Sequence, residues 1–458
     1  MRSRTKKYKR LISVLCSILL ACNVSSCGYG ESDTEVITIW SSSMSSKMIL
    51  EKIVDGFNRT VGKTNGIFID YHTKDPLTFG EEITKAFESG NPPDLFAGFS
   101  REYAQKGYVV PICDIEGGRE FLNEFKDIPV RTENSLDGKI YCTPISVTTH
   151  GLLYNKEMFK KAGLTDDAGN PTPPETFEQM RDYAGRLTDS DKNEYGIVLP
   201  LKWSGWYGSD IRSSMMSSCG YQEFNPVTGK FDYTGAVPIM QTYLDIINDK
   251  SCVPGAEQID NDTARALFAS GGVGMKLAFS FDVNVINDQY PASIDWGVAP
   301  LPVVDKGNKY KQRMAYGYSF CVTSRAAEKA DGSKLIRILK YFNSKEIQKE
   351  LYISSAAIPY DSSVIGGKTD KKLKNGWSEF CSFADISAVY PDVPQYNINS
   401  SDRIDSYFMQ NVITGKVTPG ECARHVGEVV NSAVEEYYRK LPDEEFNMFI
   451  IPDWDIKR

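Results

Sequence analysis

The stretch "HGLLYNKEMFKKAGL", residues 150–164, decides how the chain is read. Residues 151–154 form a short apolar run suited to a buried strand, and Asn155 is a good N-cap for a helix over 156–162. Glu157 stands in the first turn and Lys160 and Lys161 in the last, each matching the helix dipole, while Gly163 supplies a left-handed stop. Met158, Phe159 and Ala162 make the apolar face. The unit is one strand running into one helix, and the chain repeats it. "VITIW" (36–40) is dense in β-formers, and "MILEKIVDGFN" (48–58) carries a helical stripe at Ile49, Ile53, Val54 and Phe57. A β-rich "GIFIDYHT" (66–73), a helix across "FGEEITKAFESG" (79–90) and a strand at 94–96 follow. Alternating strands and helices predict an α/β fold with a parallel sheet covered by helices, joined by right-handed crossovers.

Further on, "PTPPETFEQMRDYAGRL" (171–187) reads as a helix after a proline turn, and "YGIVLP" (195–200) as a strand. "ARALFASGGVGMKLAFSF" (264–281) reads as a helix end, a glycine turn and a strand. "DWGVAPLP" (295–302) and "AYGYSFCVT" (315–323) look like two strands, "SKLIRILKYFNSKEIQKELY" (333–352) is strongly helical, and residues 424–441 form a last helix.

The first ten residues carry Arg2, Arg4, Lys6, Lys7, Lys9 and Arg10, ahead of an apolar core at 11–21. Eleven apolar residues fall short of the roughly 20 that span a bilayer, so 1–26 reads as a secretory signal peptide. Small residues before Cys27 resemble a lipobox, which makes Cys27 the expected lipidation site and 27–35, rich in Gly, Ser and acid, a flexible spacer. Without the six leader cations, 46 basic residues face 60 acidic ones, a net charge near −14. Such a surface repels nucleic acid and anionic headgroups, so contact with a membrane is expected through the lipid alone. About 430 residues exceed one hydrophobic core, and two lobes are expected. Seven cysteines beyond Cys27 (Cys113, Cys142, Cys219, Cys252, Cys321, Cys381, Cys422) are odd in number and never spaced as C-x-x-C. They read as buried small hydrophobes rather than as a disulfide framework or a metal site.

Catalytic chemistry is sparse. His72, His150 and His425 lie far apart and are expected to be satisfied or exposed. No H-E-x-x-H and no G-x-S-x-G occurs, and "SGGVGMK" has no G-K-[ST] and a misplaced first glycine, so its glycines read as a tight turn rather than a phosphate loop. Asp189, Asp191 and Asn193 stand at alternate positions of a calcium loop, but Glu194 and Pro200 replace its glycine and bidentate glutamate, and a polar turn is the better reading. No catalytic residue, metal or cofactor is expected. Aromatic residues carry more information. "LKWSGWYGSD" (201–210) sets Trp203, Trp206 and Tyr207 among Gly and Ser, and exposed planar side chains on such a loop suit the C–H faces of sugar rings. Trp40, Phe281, Tyr316 and Tyr318 stand at strand ends, where open α/β sheets hold ligands.

The order of these segments resembles that of the family 1 extracellular solute-binding proteins, lipoprotein receptors of bacterial ABC importers. The pieces that carry the resemblance include "ITIW", "PPDLFAGFSREYAQKGYVVPI", "LDGKIYCTPISVTTHGLLYNKEMFKKAGL", "ALFASGGVGMKLAFSFD", "DWGVAPLP" and "GKVTPGECARHVGEVVNSAVEEYY", in family order over nearly all of the mature chain. The most specific is "YNKEMFKKAGL" following "GKIYCTP". The resemblance implies a two-lobed periplasmic-binding-protein fold of type II, with lobes joined by crossing hinge segments. Lobe one would comprise 33–148 and 300–343, lobe two 149–299 and 344–458, with crossings near Thr148 and Thr149, at "WGVAPLP", and near 342–344. It implies a ligand-binding set of Trp40, Ser42, Phe99, Arg101, Thr148, Trp203, Trp206, Tyr207, Phe281, Asp282, Tyr316 and Tyr318. Thr148 replaces a carboxylate found in some members, and Phe281 a more usual tryptophan.

The function so implied is a lipid-anchored, extracytoplasmic, monomeric substrate-binding protein. It would bind a saccharide, expected to be an oligosaccharide, between the lobes and deliver it to the permease subunits of an ABC importer, without enzymatic turnover. Two rivals from other classes are a secreted glycan-active hydrolase, which needs paired carboxylates and forms products, and a surface glycan-binding adhesin, which binds polymer without closing.

Overall fold

The computed structural model describes residues 34–125, 134–366 and 372–458. The expected signal peptide and Cys27 lie outside the described residues. No helix among the described residues is long and apolar enough to cross a membrane.

Two sheets, each with its own apolar packing, build the molecule. The first runs in the order Phe320–Val322, Leu95–Ala97, Glu35–Ser41, Ile67–Thr73. Its last three strands are parallel, with Ile37 opposite Ile69 and Ile39 opposite Leu95, and Phe320–Val322 returns antiparallel along the edge. The period of two is plain in Glu35–Ser41, where Ile37 and Ile39 are buried and Val36 is exposed. The helical stripe read from 48–58 forms the helix Lys47–Phe57, which drives Leu50, Ile53, Val54 and Phe57 into this core.

The second sheet runs Trp296–Ala299, His150–Asn155, Val273–Phe279, Tyr195–Ile197. The opening stretch supplies its inner strand, antiparallel to both neighbours. Asn155 caps the helix Lys156–Lys161 by accepting from the amides of Glu157 (3.0 Å) and Met158 (3.2 Å), and Gly163 takes the left-handed φ of 66°. Val273–Phe279 is apolar at nearly every position because packed side chains cover both of its faces. One large core on this sheet includes a helix the sequence reading left unassigned, Val237–Asn248, through Ile239, Met240, Tyr243 and Ile246. The C-terminal helix is longer than expected, Pro419–Tyr438. Thr418 and Glu421 form a reciprocal capping box, with Pro419 at its first turn, five residues ahead of the predicted start.

A third sheet stands between the two, in the order Ile358–Pro359, Ser146–Thr148, Gln312–Tyr316, Ser387–Val389. Ser146–Thr148 leads from Ile145 in the first core to Leu152 in the second, and Ile358 follows Ala357, which packs in the first core. Chain passages therefore run side by side: Thr148 pairs with Ala315, and Val147 with both Tyr316 and Ile358. Trp296–Ala299 is the edge of the second sheet, and Ile347, Leu351, Ala356 and Ala357 pack in the first core. None of the seven described cysteines forms a disulfide, and five of them are buried.

Candidate functional site

The carboxyl ends of the sheet strands face one another across a cavity of about 660 Å³, within the range of small-molecule clefts (about 300–1,000 Å³). From the first sheet come Ser42, Ser43, Met44 and Ser45, which follow Glu35–Ser41, and Asp75, Pro76 and Leu77, which follow Ile67–Thr73. The connecting strands add Ser146, Val147, Thr148, Gly317 and Tyr318. From the second sheet come Trp203, beyond Tyr195–Ile197, and Ser280 and Phe281, beyond Val273–Phe279. The N-terminal turn of the helix Asn261–Ala269 closes the wall with Asp260, Asn261, Asp262 and Arg265.

The aromatic wall is held from behind. Trp203 meets Phe279 edge-on at 6.0 Å, and Phe279 stacks on Phe281 at 4.9 Å and 12°. Gly205 makes room for the indole: a Cβ there would stand 2.3 Å from the Trp203 ring. Beneath Phe281 lies a buried charge cluster. Asp282, fully buried, accepts from Arg265 Nε (2.8 Å), from Arg265 Nη2 and from the Phe279 amide (3.2 Å), with Lys276 Nζ at 3.6 Å. Burial pushes the Asp282 carboxyl up, but Arg265 and Lys276 outweigh it and hold it below its ordinary range. Burial lowers Lys276 against the pull of Asp282. Asp210 is pushed up to about 6 by burial, opposed by a hydrogen bond from Ser209 and the charge of Lys276. Arg265 also reaches Asp262 (2.6 Å) and lies 5.7 Å from the Phe281 ring centre.

Of the twelve expected ligand residues, the structure gathers Ser42, Thr148, Trp203, Phe281 and Tyr318 on this cavity. The others stand elsewhere, each for a physical reason. Trp206 is 2% exposed and packs its ring 5.5 Å from Phe408, so it is a core residue rather than an exposed platform. Tyr207 is buried beside it and lines a separate concavity of about 370 Å³ with Arg212, which donates to Glu223 at 2.8 Å. Asp282 is the buried counter-ion just described. Trp40 packs into a small cluster under the Lys74 ammonium, 4.0 Å from its ring centre, and Phe99 joins the same cluster beside Tyr141. Arg101 forms a half-buried ion pair with Asp392, and Tyr316 packs edge-on to Tyr360 at 6.0 Å.

His150 differs from the expectation of a satisfied or exposed histidine. It is buried, neither ring nitrogen has a hydrogen-bond partner among the described residues, its ring lies 4.1 Å from that of Phe279, and burial, then the charge of Arg313, depresses its pKa well below the ordinary value. Asp189 and Glu194 exchange backbone hydrogen bonds across a tight turn. Sequence reasoning passed over Asp75, Asn261 and Arg265. The available signal was "DND" at 260–262: an N-cap carboxylate, accepting from the Thr263 amide at 2.8 Å, that aims the first helical turn at the strand ends.

The geometry can be set beside known proteins. A family model described as bacterial extracellular solute-binding protein matches residues 45–349. The maltotriose-binding protein of Pyrococcus abyssi is 23% identical over 306 residues, covering 63% of this chain and 59% of that protein. The sn-glycerol-3-phosphate-binding periplasmic protein of an Escherichia coli strain is 25% identical over 366 residues, 73% of this chain and 78% of that protein. Among solved structures, the acarbose-binding receptor of Streptomyces glaucescens superposes with a TM-score of 0.69 at 17% identity, covering 88% of this chain and 98% of that one. A solute-binding protein of Thermotoga lettingae, bound with α-D-tagatose, gives 0.67 at 20% identity, covering 87% and 100%. Those likenesses establish the two-lobed type II periplasmic-binding fold.

Proposed function

We propose a function from one premise: the chain belongs to the bacterial extracellular solute-binding protein family. In this reading it captures a saccharide in the cavity between its two sheets and presents it to the permease of an ABC importer. The observation that carries the reading is the composition of that cavity, whose lining combines the rings of Trp203, Phe281 and Tyr318 with the hydroxyls of Ser42, Ser43, Ser45 and Thr148. Aromatic faces stack on the C–H faces of a sugar ring, and hydroxyl and amide groups fix its oxygens. The relatives bound to acarbose, tagatose and maltotriose support the same ligand class.

Closure follows from the architecture. The lobes turn about the third sheet, whose strands lead from one core to the other, and both bodies stay rigid. We assign Ser146–Thr148, Gln312–Tyr316 and Ile358–Pro359 as the hinge segments. A sugar touching both walls favours the closed form by its differential affinity for that form, and the closed form is what the permease recognises. The protein acts as a monomer, held on the extracytoplasmic face by a lipid on Cys27.

Native mass spectrometry of the chain starting after Cys27, incubated with mono- and oligosaccharides, tests the proposal. A bound sugar of unchanged mass with no products in solution is the expected result. Cleaved sugar would replace the receptor reading with a hydrolase.

A further inference from the structure

We propose that this cleft selects uncharged, hydroxyl-rich solutes and rejects anionic ones, with Asn261 accepting a hydrogen bond from a ligand hydroxyl. The proposal rests on the reading of the cavity as the ligand site and adds the charge class of what enters it.

Among the described residues, the charged groups on the lining are Asp75, Asp260, Asp262 and Arg265. Three carboxylates face one guanidinium, and that guanidinium is already engaged: its Nε and Nη2 donate to Asp282 and its Nη1 to Asp262. Lys276, the next cation inward, is 1% exposed and donates to the Leu277 carbonyl at 2.9 Å, turned away from the lining. Lys74 stands over Trp40 with Glu82 at 3.3 Å. A phosphate or carboxylate entering the cleft therefore meets no uncommitted cation. The helix N-terminus on the second-sheet side of the lining, that of Asn261–Ala269, already holds the Asp260 carboxylate, which accepts from the Thr263 amide. An anion here would give up its hydration shell and face three like charges instead.

Neutral hydroxyls meet the opposite situation. Asn261 is 7% exposed, lines the cavity, and its Oδ1 has no hydrogen-bond partner among the described residues. A buried acceptor left bare is costly, and a sugar O–H satisfies it. A fully ionised phosphate carries no hydrogen to donate and would set one lone pair against another. The seryl and threonyl hydroxyls opposite donate or accept as a polyol requires. The expected ligand class thus differs from that named for the sn-glycerol-3-phosphate-binding relative, to which the chain is 25% identical.

Isothermal titration at pH 7.5 with matched pairs tests the selection: neutral oligosaccharides against their uronate and 6-phosphate counterparts, and glycerol against sn-glycerol 3-phosphate, with inorganic phosphate as the bare anion. The expected result is that each anionic partner of a bound neutral sugar binds at least about tenfold more weakly, with the gap narrowing as salt rises. Binding of inorganic phosphate or sn-glycerol 3-phosphate as tight as that of any neutral sugar overturns the charge argument. Neutral sugars that all fail to bind sink the saccharide reading, while the anions still decide the charge argument. For Asn261, Asn261→Leu is expected to weaken a neutral sugar about tenfold with the unliganded protein equally or more stable, and Asn261→Asp, which keeps an acceptor, to retain binding. Unchanged affinity in Asn261→Leu removes that residue from the proposal.

Discussion

Trp203 and Trp206 stand three residues apart in one glycine-rich loop, and the structure gives them opposite settings, one on the cavity and one in the core. Trp206 is buried among Phe408, Tyr207 and the rest of the second core. Truncating a buried tryptophan removes on the order of 150–250 Å² of apolar contact, about 4–6 kcal/mol at 25 cal/mol per Å², and measured losses run about 3–5 kcal/mol. Trp206→Ala should therefore shift the urea midpoint strongly downward, while protein that remains folded binds sugar with nearly native affinity. Trp203 is half-buried, supported by Phe279 behind it, with one side on the cavity. Trp203→Ala should leave stability within about 1 kcal/mol and weaken sugar binding by about 1–3 kcal/mol, or roughly 5- to 150-fold in Kd. Urea denaturation followed by circular dichroism, with isothermal titration on the same preparations, reads both quantities. The reverse pattern, with affinity lost at Trp206 and stability lost at Trp203, would refute the placement of the two indoles.

Three further outcomes follow from the buried groups. Asp282→Ala strips Arg265 and Lys276 of their shared carboxylate and should cost about 3–5 kcal/mol in chemical denaturation, because the buried Lys276 loses its carboxylate partner while Arg265 keeps only Asp262. Asp210, near 6 in the folded protein against 3.8 for the free side chain, contributes stability that is full below pH 3.8 and lost as pH rises through 6. Asp210→Asn should therefore stabilise the protein at pH 7.5, by at most about 3 kcal/mol at 1.36 kcal/mol per pK unit, and the gain should vanish near pH 4. His150 has its folded pKa depressed by burial, so its contribution is intact above 6.5 and erodes as pH falls below that value. His150→Leu should flatten the acid side of a melting-temperature profile between pH 6.5 and 5, and an unaltered slope would show that His150 is solvated.

Local chemistry determined what could be read without the fold. Asn155, Glu157 and Gly163 begin and end the helix after His150–Asn155 through their own side chains and backbone, so 150–164 was legible at a glance. The alternation in Glu35–Ser41 and the stripe in Lys47–Phe57 likewise announced an α/β lobe, because burial on one face imposes a period. The capping box at Thr418 and Glu421 was equally local and was passed over in favour of apolar spacing alone. The site was legible only in part. Strand ends pointed to Phe281 and Tyr318, since a cleft forms where sheets stop, and the family resemblance added Ser42 and Thr148. Which indole of the pair lines the cavity could not be read, because the partner that buries Trp206, Phe408, arrives some 200 residues later. Asp282 posed the same difficulty: the family resemblance makes it a ligand group, and only the fold brings Arg265 and Lys276 close enough to neutralise it. Asn261 was marked only by the capping Asp260 before it, and its Oδ1, without a partner among the described residues, is buried because helix and strand ends close around it. Helix caps and periodicity belong to neighbours in the chain, whereas burial and charge pairing belong to neighbours in space.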